Sequence, residues 1–152
     1  MANATDILIS PAAPADVPEI AALLRAAELP ADDFAPHIAH FLVARSGEVV
    51  VGAVGAEVCG EDALLRSLVV HVNQRGAGFG GQLVDALERA ADGWRVRRWW
   101  LLTTTAEGFF AARGFRVVAR SEAPEAIRRT GQFAGGCCRS AVCLKRERRE
   151  FA

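Results

Sequence analysis

Apolar positions change their period several times along the chain, and each change marks an element. Residues 7–10 are a short apolar-rich run that reads as a strand. Asp16 stands three residues before Glu19, the spacing of an N-cap with its capping box. Val17, Ile20, Leu23, Leu24 and Ala27 then recur at helical spacing, and Pro30 ends that helix. Residues 31–40 are more polar and carry a short second helix. Residues 41–44 and 49–58 are strands joined through Ser46-Gly47-Glu48, a hairpin pattern. Gly60-Glu61-Asp62 turns the chain again, into a strand over 64–70.

The second half begins with a glycine-rich stretch over 73–81. Leu83, Val84, Leu87 and Ala91 follow at helical spacing, and Gly93 ends that helix. Residues 98–103 form a strand. Thr104 with Glu107 has capping-box spacing and opens a short helix through Phe110 to Gly114. A strand over 115–119, a helical turn over 124–129 and a last strand over 140–144 complete the chain. The order is β-α-α-β-β-β-α-β-α-β-β with no repeat and no linker. It predicts one α/β domain over 1–152, of mixed α+β character, with a central mixed sheet and helices on both faces.

Composition narrows the partners. The 18 basic and 18 acidic side chains cancel, so neither nucleic acid nor an anionic membrane is favoured. No run of about 18 apolar residues exists to span a bilayer. The first ten residues lack a basic region followed by an apolar run, so no secretory signal is expected. Cys59, Cys137, Cys138 and Cys143 show no disulfide-framework spacing, which fits reduced thiols in the cytoplasm. All cations except Lys145 are arginines, side chains suited to planar carboxylates and phosphates.

The sharpest chemical signal lies where a strand runs straight into the glycine-rich stretch. Leu68, Val69 and Val70 end the strand; Arg75, Gly76, Ala77, Gly78, Phe79, Gly80 and Gly81 lead into an amphipathic helix. Glycine admits positive φ and lets a ligand approach the main chain. Amides of a helix's first turn, aided by its dipole, then make a site for an anion such as pyrophosphate. A Walker A loop would need Gly-Lys-Ser/Thr, and no lysine is present there. A Rossmann loop needs Gly-x-Gly-x-x-Gly in an early βαβ unit, whereas Gly76-x-Gly78-x-Gly80 lies mid-chain after a hairpin. The plain structural reading is a helix start with tolerated glycines, at a conformational cost that repeats with each glycine.

Arg75-x-x-Gly78-x-Gly80 resembles the acetyl-CoA pyrophosphate loop of the GNAT superfamily of N-acetyltransferases. A later segment, Ala106-Glu107-Gly108-Phe109-Phe110-Ala111-Ala112-Arg113-Gly114-Phe115, resembles that superfamily's Ala-x-x-Phe-Tyr helix followed by Gly-Phe. The resemblance covers nearly the whole chain in the order of its elements. It implies the GNAT fold, with central strands that splay apart around pantetheine. It further implies that pantetheine bonds the main chain of Leu68 to Val70 and that the cofactor passes Phe110. The expected ligand is acetyl-CoA as cosubstrate, with no metal.

The family often protonates the leaving thiolate with a tyrosine at the place of Phe110. This protein has no tyrosine at all, so the thiolate must take its proton from water or another group, or leave unassisted. Glu57, ending the run Gly52-Ala53-Val54-Gly55-Ala56-Glu57, is the candidate general base; a surface glutamate at a strand end is the plainer reading. Arg66 places a cation inside the apolar strand Leu64-Leu65-Arg66-Ser67-Leu68. Buried, it needs an anion: a substrate carboxylate, or Glu57 or Glu61. Thr103 either faces the acceptor or belongs to the helix cap. His37 and His40 lie on the second helix, which the resemblance places near the acceptor; packed or solvated histidines are the alternative. The tail over 145–150 reads as a solvated end.

Several segments resemble a narrower group, the arsenic-resistance N-acetyltransferases. They are Leu64-Leu65-Arg66-Ser67-Leu68, Leu101-Leu102-Thr103-Thr104-Thr105-Ala106-Glu107-Gly108-Phe109-Phe110, Ala123-Pro124 with Ile127, and Phe133 followed by Cys137 and Ser140-Ala141-Val142-Cys143. Cys138 stands where that group carries proline. The implied acceptor is the amine of a glutamate analogue with an arsinic or phosphinic head, held by Arg66, Arg120 or Arg128. Glutamate or another amino acid is the first alternative. A non-catalytic acyl-CoA or arsenical-binding module, using the thiols, is the second. A small-molecule amine is the expected partner, with the chain a monomer or a homodimer.

Overall fold

The computed structural model describes residues 7–135 and 140–148. Seven strands form one sheet: β1 (Ile7–Pro11), β2 (Phe41–Ser46), β3 (Val49–Cys59), β4 (Asp62–Val70), β5 (Arg98–Thr103), β6 (Arg116–Val118) and β7 (Val142–Glu147). Their order across the sheet is β1-β2-β3-β4-β5-β7-β6. The helices are α1 (Val17–Ala26), α2 (Phe79–Ala90), α3 (Glu107–Ala111), α4 (Glu125–Arg128) and α5 (Gly131–Ala134). The sheet is mixed: β1 with β2, β2 with β3, β5 with β7 and β6 with β7 run antiparallel, while β4 pairs with β5 in parallel. The expected mixed α/β architecture is therefore present. No helix among the described residues is long and apolar enough to cross a membrane.

Internal contacts divide the chain into two compact units, each discontinuous in sequence: residues 7–56 with 67–90, and residues 57–66 with 91–148. In the first, the apolar stripe of α1 presents Ile20, Leu23 and Leu24 to Phe34, Phe41, Val43, Val50, Ala53 and Val69. Fully burying each such side chain stabilises the fold by about 1.5–3 kcal/mol, an upper estimate since unfolded chains are partly compact. Gly55 makes room for the largest of them, because a Cβ there would fall on the Phe41 ring.

The capping box expected at α1 does not form. A 3-10 turn over Pro14–Asp16 precedes the helix and puts Asp16 in the helical region. Its carboxylate instead accepts from the Ala13 amide at 2.8 Å and from Arg45 at 2.6 Å. Glu19 reaches the Val50 amide of β3, 3.2 Å away. Burial opposes ionisation of Asp16, but the Arg45 and Ala13 hydrogen bonds and the Arg45 charge outweigh it and hold the carboxyl below its usual value. The second helix is a 3-10 segment, Ala35–His40.

The second unit is organised by β5 and β7. Leu64, Trp100, Ala123, Ile127 and Cys143 form its buried cluster, with Cys59, Leu102, Val118 and Phe133 packed against it. Asp62 ties the start of β4 to β5, accepting from Arg98 Nε at 2.8 Å and from the Trp100 indole at 2.8 Å. The tail expected to be solvated is largely strand: β7 runs to Glu147, Lys145 lies over the Trp100 ring, and Arg146 is buried over Phe115. Pairing of Arg98 with Glu147 and Trp100 with Lys145 explains this, because the ladder of β5 draws charged residues into register. Residues 149 and 150 of that tail lie outside the described residues. The short helix α5 was not expected, and the capping box expected of Thr104 and Glu107 does not form: the N-cap of α3 is Ala106, without a side-chain cap, and the Thr103 hydroxyl oxygen accepts from the Ala106 amide at 2.9 Å.

Candidate functional site

In the first unit β4 ends at Val70 and the chain enters the glycine-rich turn. The His71 amide donates to Val51 O at 2.7 Å, anchoring the exit from the strand. His71 Nδ1 then accepts from the Asn73 amide at 3.1 Å, and a 3-10 turn follows over Val72–Gln74. Arg75 folds back so that Nε donates to Val70 O at 3.1 Å, bracing loop against strand. Gly76 and Gly78 take φ of +88° and +82°, the left-handed region that side chains disfavour. A Cβ built on either would meet nothing within 4 Å, so the space beside this stretch of main chain is open. Gly80 and Gly81 lie within the first turn of α2, closed where the Gln82 amide donates to Gly78 O at 3.1 Å. Phe79 contributes only its main chain, since its ring is buried. Leu68 and Val70 are half-buried and Val69 is core. The segment is a strand end, a left-handed turn and a helix start held together by main-chain and arginine bonds.

In the second unit Glu57 and Arg66 meet. Arg66 Nη1 donates to Glu57 Oε2 at 2.7 Å, with side chains 0% and 8% exposed respectively. Of the anions expected for a buried Arg66, one is thus supplied by the protein. Thr103 holds the entry to α3, as described, which leaves its hydroxyl proton to donate elsewhere. Phe110 is buried and edge-on to both Phe109 and Phe115, at centroid distances of 4.9 and 5.3 Å. An aromatic ring packs there whether or not it carries a hydroxyl.

The family model for the acetyltransferase (GNAT) domain matches residues 37–117, more than half of the chain. The chain belongs to the GNAT acetyltransferase family. No curated protein matches it. Among solved structures it is similar to N-acetylglutamate synthase from Neisseria gonorrhoeae complexed with coenzyme A and N-acetyl-glutamate. That match has 25% identity and a TM-score of 0.83 over 95% of this chain and 35% of the other. The chain thus spans about a third of that synthase's length. Rv2747 from Mycobacterium tuberculosis, in complex with CoA, matches at 21% identity and TM-score 0.74, over 91% and 97% of the two chains. A GNAT-family acetyltransferase from Staphylococcus aureus Mu50 matches at 16% identity and TM-score 0.77, over 94% and 99%. These last two share the fold.

Within this GNAT chain, one residue of interest carried no signal in the sequence. Ser67 has φ of +62° in the middle of β4. A non-glycine residue there costs about 1–2 kcal/mol and marks a local break in the strand's pleat. A glycine would have announced the break; a serine does not. His37 and His40 close the 3-10 segment Ala35–His40, and burial, then the neighbouring His37 charge, push His40 below the usual histidine value. Arg120 Nη2 donates to Ala141 O at 2.8 Å and Arg128 Nε to Ala123 O at 2.9 Å. Burial pushes the Cys143 thiol up to about 11; burial, with Glu57 and Asp62, also raises Cys59. Cys137 and Cys138 lie outside the described residues. Among the described residues no group of three or more His, Cys, Asp or Glu is placed to hold a metal ion.

Proposed function

We propose that this chain transfers the acetyl group of acetyl-CoA to the amine of a small amino-acid-like acceptor, directly and within a ternary complex. The observation that carries the reading is the passage from Val70 to Gly81, where two left-handed glycines leave open space beside the main chain of a helix start. A Cβ would occupy that space, and main-chain amides with a helix dipole suit pyrophosphate. Arg75 adds a cation beside the same loop. Bound acetyl-CoA supplies an activated thioester. The main chain of Leu68, Val69 and Val70 holds pantetheine, and β4 amides polarise the thioester carbonyl. Glu57 takes the proton from the acceptor's ammonium group. The nitrogen–carbon bond forms as the carbon–sulfur bond breaks; the nitrogen gives its second proton to solvent, and the thiolate, with no tyrosine to serve it, leaves unassisted or takes a proton from water or another group. Alignment of the reactants within one complex supplies much of the rate. Thr103 offers a hydroxyl to the acceptor. The reading treats residues 1–152 as one acetyltransferase domain that needs no metal.

The acceptor we favour is a glutamate analogue with an arsinic or phosphinic head, on the sequence segments that resemble arsenic-resistance N-acetyltransferases. Glutamate itself is the second reading, favoured by the likeness to a synthase solved with N-acetyl-glutamate. Release of CoA thiol across arsinothricin, phosphinothricin, glutamate and aspartate separates the two. Selective turnover of the first pair supports a detoxifying enzyme; preference for glutamate supports the second. Tight acetyl-CoA binding without turnover of any of them would sink the amino-acid acceptor.

A further inference from the structure

We infer that Arg66 serves the reaction by positioning the Glu57 carboxylate, not by gripping the acceptor. The inference rests on the proposed role of Glu57 as base. The Arg66 side chain has no accessible surface, whereas Glu57 keeps 8% of its own. An acceptor carboxylate has no path to a guanidinium in that state. A buried guanidinium needs its counter-charge, and Glu57 supplies it through a 2.7 Å hydrogen bond from Nη1 to Oε2. The terminal torsion of a glutamate is broad, so an unheld carboxylate samples many orientations. Bonding Oε2 to a fully enclosed arginine sets the plane of the carboxylate, and a proton acceptor works only when so aimed. The left-handed Ser67, next in sequence, breaks the regular pleat at this point of β4.

Two measurements test this. Phenylglyoxal, with peptide mass mapping, reads whether Arg66 is reachable in the native protein: protection is expected, and rapid labelling would overturn the inference. This decides reach even for a protein that turns over none of the acceptor panel, a result that would count against the proposed acceptor instead. The second is kinetic, using the best acceptor of that panel and its carboxamide counterpart. Glu57→Gln should lower kcat by about a hundredfold. Arg66→Met should lower kcat by a similar factor for both acceptors while acceptor KM and acetyl-CoA affinity stay within about twofold. Arg66→Lys, which keeps a point charge, should recover much of the rate. It also keeps the test alive where Arg66→Met unfolds, as thermal melting would reveal. The double variant should be no slower than Glu57→Gln alone, as for residues acting as one unit. Multiplying losses, or a KM rise that vanishes with the carboxamide, would refute the positioning role. A fully active Glu57→Gln would remove the proposed base itself.

Discussion

In the proposed reaction the glycine-rich loop and the Glu57–Arg66 pair would serve ligands by opposite means. At the loop the proposed recognition surface is main chain; the Phe79 ring is turned into the core, and two glycines leave open space. At the pair the proposed chemistry lies in side chains, both enclosed and joined by a 2.7 Å hydrogen bond. Removing a side chain should therefore matter little in the first region and much in the second. Adding one should do the reverse. A single buried partner lost from an ion pair costs about 3–5 kcal/mol of stability. An added Cβ at a left-handed glycine in open space costs about 1–2 kcal/mol of strain.

The largest effect is expected at the loop. Gly78→Glu sets a carboxylate in the open space beside the main chain and should abolish acetyl-CoA binding by calorimetry, while Gly78→Ala, which adds a single Cβ to that space and strain at a positive φ, weakens it less. Unchanged affinity in the first variant would remove the pyrophosphate assignment. Next comes Glu57→Gln, which should slow turnover about a hundredfold with acetyl-CoA affinity intact, separating base from binding. Arg75→Ala removes the bond to Val70 O and one cation. It should weaken acetyl-CoA by about tenfold, a cost of order 1.4 kcal/mol typical of a charge-assisted contact. An affinity as low as that of Gly78→Glu would show that side chains share the loop's task equally with the main chain.

The smallest effect concerns two carboxylates away from the chemistry, one in each unit. Against the opposing pull of burial, Asp16 is held below its ordinary value by Arg45 and Ala13, and Asp62 by Arg98 and Trp100. A lowered folded pKa means that the unfolded chain binds the proton more readily. Their contribution is complete above the ordinary value of 3.8 and is lost as pH falls through the folded values. Denaturant midpoints should thus decline below about pH 4, with a shallower decline in Asp62→Asn. An unchanged slope would mean that the Arg98 and Trp100 contacts to Asp62 contribute nothing to stability.

Much of this was legible in the chain because local rules were enough. The glycines at 76 and 78 are demanded by their own φ, so the turn shows in the residues themselves. Strand β5 and helix α1 follow from short-range periodicity, and their bounds match closely. Caps were less legible. Asp16 and Glu19 have the spacing of a box, but the arrival of Arg45 and Val50 from strands far along the chain offered better partners. The charged end of β7 was read as solvated since nothing local shows that β5 lies alongside it.

The sequence by itself determined the left-handed glycine turn, the absence of any phenol for acid catalysis and most of the order of elements. Each depends on residue identity or on contacts within one turn. Only the tertiary structure decided that Arg66 meets Glu57 rather than Glu61, that Ser67 adopts a left-handed conformation, and that the cations of β7 are drawn into a sheet. Those outcomes depend on strand register, which brings together residues nine or more apart and is set by the burial of whole faces. A register shifted by one residue would keep every local pattern and turn Arg66 away from Glu57.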